Sequence, residues 1–120
     1  MTDYRELIVW LKSMELAHII YHMTSRFLRD EIFGLTNQIR RAIVSIPSNI
    51  AGGFGRGSDR EFVHFLRIAK GSAAEVETQI LISEDLHYVS PDTAQTALSL
   101  CDEILRMLGT MIVKIGKRIG

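Results

Sequence analysis

Apolar residues recur at helical spacing along nearly the whole chain, and no stretch alternates in the manner of a strand. In the middle of the sequence they step by four and three residues, at Phe62, Leu66, Ala69, Ala73, Val76 and Ile80. The same spacing returns near the end, at Ala94, Leu98, Cys101, Leu105, Leu108, Ile112 and Ile115. Such seams belong to helices that pack side by side at shallow angles. We therefore predict four helices, at about residues 8–28, 35–54, 59–86 and 91–117, in a single domain.

Start and stop signals mark the ends of the predicted helices. Pro47 lies inside the second helix, where it has no N–H to donate and is expected to kink the helix. The glycines of residues 52–57 end that helix, and Ser58 with Glu61 forms the capping box of the third. Ser90-Pro91-Asp92 is the start signal of the fourth. Because the loops are short, consecutive helices should be antiparallel neighbours, which gives an all-α, up-down-up-down four-helix bundle.

The first and fourth helices carry more apolar residues than one buried stripe uses. The first has two stripes, one at Trp10, Met14, Ala17, Tyr21 and Leu28 and one at Val9, Leu16, Ile20, Met23 and Phe27. The fourth has further apolar residues off its seam, at Leu100, Ile104, Met107, Met111 and Val113. A bundle of this size cannot cover both faces, so we expect the surplus to form the interface of a closed homo-oligomer. The pattern does not give the copy number.

Charge is segregated along the chain although the total is zero. Residues 40–70 carry +4, residues 71–105 carry −7 and residues 106–120 carry +4. A neutral total argues against a strongly basic nucleic-acid binder, whereas the segregation allows local patches of either sign. No apolar run approaches the ~20 residues of a membrane span, the first residues are polar, and cysteine occurs once. We expect a cytoplasmic protein with no membrane segment and no disulfide.

Three E-x-x-H pairs have the ligand spacing of di-iron bundles: Glu15/His18, Glu61/His64 and Glu84/His87. The second helix has no Asp or Glu between Leu35 and Phe54, so the ligand set is incomplete and we expect no metal site. No base and orienting acid can be placed beside a serine, and Cys101 falls on the fourth-helix seam as a core thiol. The sequence therefore predicts no catalytic residue, no cofactor and no enzyme activity.

Basic residues cluster around the turn between the second and third helices. Free N–H groups at the start of the third helix, with Arg56 and Arg60 beside them, suit a phosphate group. The alternative is a purely structural turn, in which the glycines only end one helix and allow the next to begin. The remaining cations expected to be free for nucleic acid are Arg40, Arg67 and Lys70.

Other polar residues on these two helices are expected to support the fold. In an antiparallel pair, Gln38 comes level with Glu75, and Arg41 comes level with Ser72, within a turn of Glu75. Glu75 and Glu77 can then satisfy Gln38 and Arg41, which predicts a buried or half-buried arginine–glutamate network. Asn49 lies two residues after Pro47, from where its side chain can reach carbonyls that the proline loosens.

The blocks SIPSNIA, GFGRGS, EFVHFLRIAKGS and EVETQI follow one another in residues 45–80. With Arg5-Glu6-Leu7-x-Val9-Trp10 before them, they resemble the bacterial four-helix-bundle family encoded in intervening sequences of 23S rRNA genes. More distantly, the chain resembles the accessory proteins of diversity-generating retroelements. The resemblance implies a ring-shaped homopentamer that is suspected of binding nucleic acid and has no established enzyme activity. The chain departs from the family at three positions: Gly52 replaces the usual Glu, Ala73 a common Leu and His87 a common Gly.

Two functions are consistent with these features. The first is a non-enzymatic oligomer that binds structured RNA, or an RNA–protein complex, through basic residues repeated around a ring. The second is a protein–protein adaptor whose acidic surface on the third and fourth helices docks a basic partner. The family resemblance favours RNA, and the neutral net charge favours the adaptor.

Overall fold

The computed structural model describes residues 3–119, which form four α-helices and no strand. The helices are α1 (Ile8–Thr24), α2 (Leu35–Phe54), α3 (Asp59–Asp85) and α4 (Pro91–Gly116). Short 3-10 turns, Tyr4–Glu6 and Arg29–Glu31, precede α1 and α2. None of the helices in residues 3–119 has the length and apolar character needed to cross a membrane.

Each helix packs against two neighbours in the closed order α1–α2–α3–α4–α1, and within the described residues the backbones of the diagonal pairs stay apart. Cys101 lies beside Ala73, and Arg118, just after α4, contacts Asp59 at the start of α3, so α3 and α4 are antiparallel. The contacts between α2 and α3 have the same antiparallel sense, because Ser45 lies beside Ser72 and Gly53 beside Phe65. The bundle is elongated, with principal extents of 48 × 23 × 21 Å.

α1 ends at Thr24, about one turn before the predicted end at residue 28. The Thr24 hydroxyl donates to the Ile20 carbonyl at 2.8 Å, and the Ser25 hydroxyl donates to the His22 carbonyl at 2.6 Å. Hydroxyl groups that bond to carbonyls in this way compete with the helical ladder. Phe27 lies beyond the helix and packs on the Tyr88 ring, with centroids 5.4 Å apart.

The core register of α4 differs from the prediction. Leu100 and Ile104, which were assigned to the surplus, are buried, whereas Leu98 and Leu105 on the predicted seam are only partly buried. α4 contacts both α1 and α3, so its buried arc is wider than one heptad seam and is rotated relative to it. On α3 every residue of the predicted seam is buried.

α2 and α3 approach each other closely beside the turn that joins them. A Cβ atom on Gly53 would lie only 2.5 Å from the Phe65 Cβ, so this position requires glycine. Ser58 accepts a hydrogen bond from the Glu61 N–H at 3.1 Å, which is the cap predicted for α3. The turn itself includes Gly57 at φ +81°.

α3 ends in a Schellman motif whose left-handed residue is not glycine. His87 has φ +62°, and its N–H donates to the Glu84 carbonyl at 3.0 Å. The Tyr88 N–H donates to the Ser83 carbonyl at 2.9 Å, which completes the pair of bonds. This is the position at which the resembling family commonly has glycine, so here a residue with a Cβ takes the strained conformation.

Pro47 lies within α2, and a polar network links the residues two positions before and after it. Asn49 Nδ2 donates to the Ser45 carbonyl at 2.7 Å and to Ser45 Oγ at 2.8 Å. Ser45 Oγ is also 2.8 Å from Ser72 Oγ, so the network joins α2 to α3. Asn49 therefore satisfies a carbonyl close to the proline, and the kink at Pro47 stays a prediction.

Candidate nucleic-acid interface

Arg40 is engaged within the bundle and is not the free charge that we expected. Its Nε donates to Thr24 Oγ1 at 2.8 Å and its Nη2 to the Tyr21 carbonyl at 3.4 Å. The guanidinium carbon lies 4.6 Å from the centre of the Tyr21 ring. These contacts hold a cation at the carbonyl end of α1, where the helix dipole favours positive charge. Arg40 therefore fastens α2 to α1.

The turn before α3 is less open to an anion than its sequence indicates. The Arg56 guanidinium lies over the Phe65 ring at 5.0 Å, and Arg60 is exposed. Asp59 and Glu61 occupy the first turn of α3, and Asp59 forms an ion pair with Arg118 at 3.1 Å. Two carboxylates at a helix N-terminus already complement the dipole and repel a phosphate. The geometry therefore favours the structural interpretation of this turn.

The structure places Glu77 apart from the other residues of the predicted arginine–glutamate network. Gln38, Arg41 and Glu75 line one groove between α2 and α3, but in residues 3–119 no ion pair joins Arg41 to either glutamate. Arg41 is exposed, so it is not the buried charge that we expected. Glu77 lies on the α4 side of α3 and acts electrostatically on Cys101. Glu75 and Glu77 face different neighbours because residues two positions apart lie about 200° apart around a helix.

Cys101 is a buried thiol on the core face of α4. Its Sγ lies 3.3 Å from the Ala73 carbonyl, to which it donates. Burial raises the pKa of the Cys101 thiol to about 12, and the negative charges of Glu77 and Asp102 act in the same direction. A thiol with this pKa is protonated at neutral pH and is a poor nucleophile.

A groove between α3 and α4 brings together cations from both helices. It has a volume of about 840 Å³ and is lined by Lys70, Leu105, Arg106, Gly109, Thr110, Val113, Lys114 and Lys117. Four of these eight residues are cationic and none is a carboxylate. We call this surface the α3–α4 cationic groove.

One carboxylate lies close to the α3–α4 cationic groove. Arg106 forms an ion pair with Asp102 one turn earlier on α4, with an N–O distance of 3.1 Å. Both side chains are more than half exposed, so the pair is weak and leaves the guanidinium available to a ligand. Lys70, Lys114 and Lys117 have no ion pair in the part of the chain that the structure describes. Most of the positive charge of the groove is therefore unneutralised.

The helices position these cations by simple periodicity. Arg106, Lys114 and Lys117 lie eight and three residues apart and so project from one side of α4. Gly109 lies between them, and a Cβ atom there would be 3.6 Å from Lys70 Nζ. The bare backbone at Gly109 forms the floor of the groove beneath the lysine. On α3, Arg67 is exposed one turn before Lys70 and extends the positive surface outside the groove.

The cations of one wall of this groove were predicted from the sequence, and those of the other wall were not. Lys70 and Arg67 were expected to be free, and both are exposed. Arg106, Lys114 and Lys117 were counted in the positive charge of residues 106–120 but were given no role. The antiparallel order of α3 and α4 brings the basic ends of the two segments together, and that signal was present in the charge distribution.

Another open groove, between α1 and α2, is mainly apolar. It has a volume of about 490 Å³, and its lining includes Trp10, Met14, Tyr21, Val44 and Pro47. Three of these belong to one of the two stripes predicted on α1, whereas Leu16 and Ile20 of the other stripe are fully buried. The first stripe is therefore the surplus apolar surface of this helix.

The residues that were weighed as metal ligands do not come together. In residues 3–119, no three His, Cys, Asp or Glu side chains are grouped so that they can hold a metal ion. Glu15 and His18 are exposed on α1, and Glu61 and His64 are exposed on α3.

Comparison with known proteins identifies the family. The model of the family described as 23S rRNA-intervening sequence protein matches residues 5–110, which is most of the chain. The chain belongs to this family. A solved relative of the 23S rRNA-intervening sequence proteins has the same fold: a protein of unknown function of the S23 ribosomal protein family from Bacteroides thetaiotaomicron. The two are 25% identical with a TM-score of 0.81, over 88% of this chain and 98% of the other. No curated protein matches the chain.

Proposed function

We propose that this protein is a non-enzymatic, oligomeric helical bundle that binds structured RNA through its α3–α4 cationic groove. The observation that carries the proposal is the convergence of Lys70, Arg106, Lys114 and Lys117 on one open groove without a lining carboxylate. Contacts of lysine and arginine with phosphate supply most of the affinity of non-specific nucleic-acid binding. The net charge of zero does not oppose this, because the positive charge is local.

The family supports RNA as the ligand to test first. Its description names an intervening sequence of 23S rRNA, which associates its members with ribosomal RNA genes. The cytoplasmic location that we propose gives the protein access to such RNA. Arg67 and Arg60 on the exposed side of α3 are available for additional phosphate contacts outside the groove.

Oligomerisation would strengthen RNA binding, because each subunit contributes one weakly binding groove. The apolar groove between α1 and α2 is an open surface of the single chain, and Ile8, Leu11 and Phe33 are also exposed. Apolar surface of this extent marks an interface, and we propose a closed ring, with five subunits as the resemblance implies. Several grooves of one ring engaging one RNA would add their affinities through effective concentration.

The adaptor is the competing function. One acidic residue of α4 is already engaged, because Glu103 pairs with Lys12 at 2.9 Å. The acidic surface that remains lies mainly at the α3–α4 turn, around Asp85 and Asp92. It is smaller than the acidic segment of the sequence indicates, so we place RNA binding first.

A gel-shift titration with a fragment of 23S rRNA tests the proposal. The double variant Lys114→Ala, Lys117→Ala removes two cations from the groove and should weaken binding at least about tenfold at low salt. The double variant Arg26→Ala, Arg29→Ala removes the same charge from exposed positions after α1 and should keep most of the affinity. If the wild-type protein has no affinity for RNA at low salt, the proposal is wrong.

A further inference from the structure

We propose that the α3–α4 cationic groove takes the sugar–phosphate backbone of double-helical RNA and reads no base. This inference rests on the proposed function and narrows its ligand from structured RNA in general to the duplex. Three observations carry it: the chemistry of the lining, the distribution of the cations over two helices, and the bare floor at Gly109.

The lining has the groups that hold a phosphate and lacks the aromatic and amide groups that hold an exposed base. Besides the four cations it consists of Leu105, Gly109, Thr110 and Val113. None of the lining residues is aromatic, and none carries an amide or a carboxylate. Single-stranded RNA is held chiefly by stacking of its bases on aromatic side chains. Arginine and lysine can read the edge of guanine as well as bind phosphate, but the major groove of an RNA duplex is too deep and narrow for side chains to reach the bases. The groove therefore suits the backbone, which has the same chemistry in every sequence.

The cations are arranged for a ligand with a high density of charge. Lys70 comes from α3 and the other three from α4, so positive charge lines both walls. Arg106 and Lys117 are eleven residues apart, or about 16 Å along the helix axis. A nucleic-acid duplex carries phosphates on two strands, about one for every 1.7 Å of axis in DNA, whereas a flexible single strand must also be ordered. A rigid duplex therefore offers more phosphates to a groove of this length at a smaller entropic cost.

The floor of the groove leaves space for an RNA sugar–phosphate backbone. Gly109 has no side chain, and the only neighbour that an added Cβ would meet within 4 Å is Lys70 Nζ, at 3.6 Å. A larger side chain would fit the helix but would fill the space between the two walls. A larger side chain at position 109 would displace RNA that lies in the groove. It would not displace RNA that is held only by long-range electrostatic attraction.

Fluorescence anisotropy with labelled RNA of equal phosphate number tests this inference. The ligands are a hairpin duplex, a second hairpin with scrambled base pairs, and an oligo-uridine strand. We expect both hairpins to bind equally within about twofold and the single strand to bind at least about fivefold more weakly. Gly109→Leu should weaken hairpin binding at least about fivefold, since it blocks the groove and keeps every charge.

Gly71→Leu is the matched control. Gly71 is an exposed glycine of α3 with open space around it, so its replacement should leave hairpin binding unchanged. Both substitutions replace a mid-helix glycine by a better helix former, which protects the fold. The wild-type comparison of hairpin with single strand does not depend on either variant.

The outcomes separate this inference from the proposed function. If the single strand binds as tightly as the hairpin, or if the two hairpins differ markedly, the groove is not a reader of duplex backbone. If Gly109→Leu binds the hairpin as well as Gly71→Leu does, the duplex does not lie in the groove. In both cases RNA binding itself stands, whereas a protein that binds none of the ligands contradicts the proposed function.

Discussion

Glu31 and Tyr88 join the first loop to the turn before α4. The Tyr88 hydroxyl donates to Glu31 Oε2 at 2.7 Å, and the Leu35 N–H donates to Glu31 Oε1 at 3.1 Å. Both bonds favour the carboxylate and hold the pKa of Glu31 below its ordinary 4.5, with the Tyr88 bond the larger cause. The same bond raises the pKa of Tyr88 above 10.0, so the hydroxyl remains a donor at neutral pH.

The first prediction concerns acid stability. A carboxyl group whose pKa is lower in the folded state stabilises the fold above its unfolded pKa, and this stability is lost as the pH falls through the folded pKa. Thermal melts between about pH 6 and about pH 3 should show a shallower loss of Tm for Tyr88→Phe than for the wild type. Tyr4→Phe is the control, since its ring contacts Trp10 and its hydroxyl makes no hydrogen bond to another residue of the described range 3–119. Identical slopes for Tyr88→Phe and the wild type would refute the account of this pair.

Adjacent arginines on α2 have different roles, which gives the second prediction. Arg40→Ala should lower the free energy of unfolding by about 1–2 kcal/mol, because it removes two hydrogen bonds and a cation–π contact at the end of α1. Arg41→Ala should change it by less than about 0.5 kcal/mol, since Arg41 is exposed and forms no ion pair within residues 3–119. Urea unfolding of both variants measures the difference. Equal effects would show that Arg41 has a partner as strong as that of Arg40.

At the level of helices, the α2–α3 pair depends on a close approach at one glycine. A methyl group on Gly53 would overlap Phe65, whereas the nearest atom to a Cβ on the exposed Gly52 is Phe65 Cε1 at 3.9 Å. The chain therefore has room for the glutamate that the resembling family usually carries at position 52, and its absence is not enforced by packing.

The third prediction uses these adjacent glycines. Gly53→Ala should destabilise the protein by about 1–3 kcal/mol through overpacking against Phe65. Gly52→Ala should stabilise it by about 0.5–1 kcal/mol, since alanine suits a helix interior better than glycine. Thermal melts of the two variants should therefore shift in opposite directions. A neutral result for Gly53→Ala would show that α2 and α3 separate at little cost.

The helices were predictable from the sequence because local signals define their ends. Ser58 and Ser90 cap α3 and α4 as predicted, with N–H bonds at 3.1 and 3.2 Å. The end of α1 and the register of α4 were not predictable in the same way. At the end of α1, Thr24 also accepts a hydrogen bond from Arg40 of α2, and Leu100 is buried because α4 packs against two helices. Neither cause is visible in a single helical pattern.

At the scale of the whole molecule, the open groove between α1 and α2 should be covered by a second copy of the chain. Val44 is 45% exposed in this groove, beside Trp10 and Tyr21. An apolar surface of this kind is stable in water when it is buried by association.

The fourth prediction is a change of mass in solution. Light scattering should give a mass several times that of one chain, and Val44→Glu should shift it to a smaller species because a charge is costly in a buried interface. Leu81→Glu, at an exposed position of α3 outside the groove, is the control and should retain the larger mass. A wild-type protein that scatters as a single chain would rule out the ring.

The candidate site was only partly predictable at this scale. Charge counts by segment showed that residues 40–70 and 106–120 are both basic, and the bundle topology brings parts of both to one groove. The sequence did not show which arginines would be engaged by other residues. Arg40 and Arg56 lie against aromatic rings, and each ring belongs to a different helix, so the selection of free cations follows from tertiary packing.

The most direct test is the salt dependence of RNA binding. For the wild type, the logarithm of the binding constant should fall linearly with the logarithm of the salt concentration. In Lys114→Ala, Lys117→Ala the slope should be shallower by roughly 0.7–0.9 for each lost phosphate contact, while Arg56→Ala, Arg60→Ala should change it less. A wild-type slope near zero, or an unchanged slope in the Lys114/Lys117 variant, would contradict phosphate binding in the α3–α4 cationic groove.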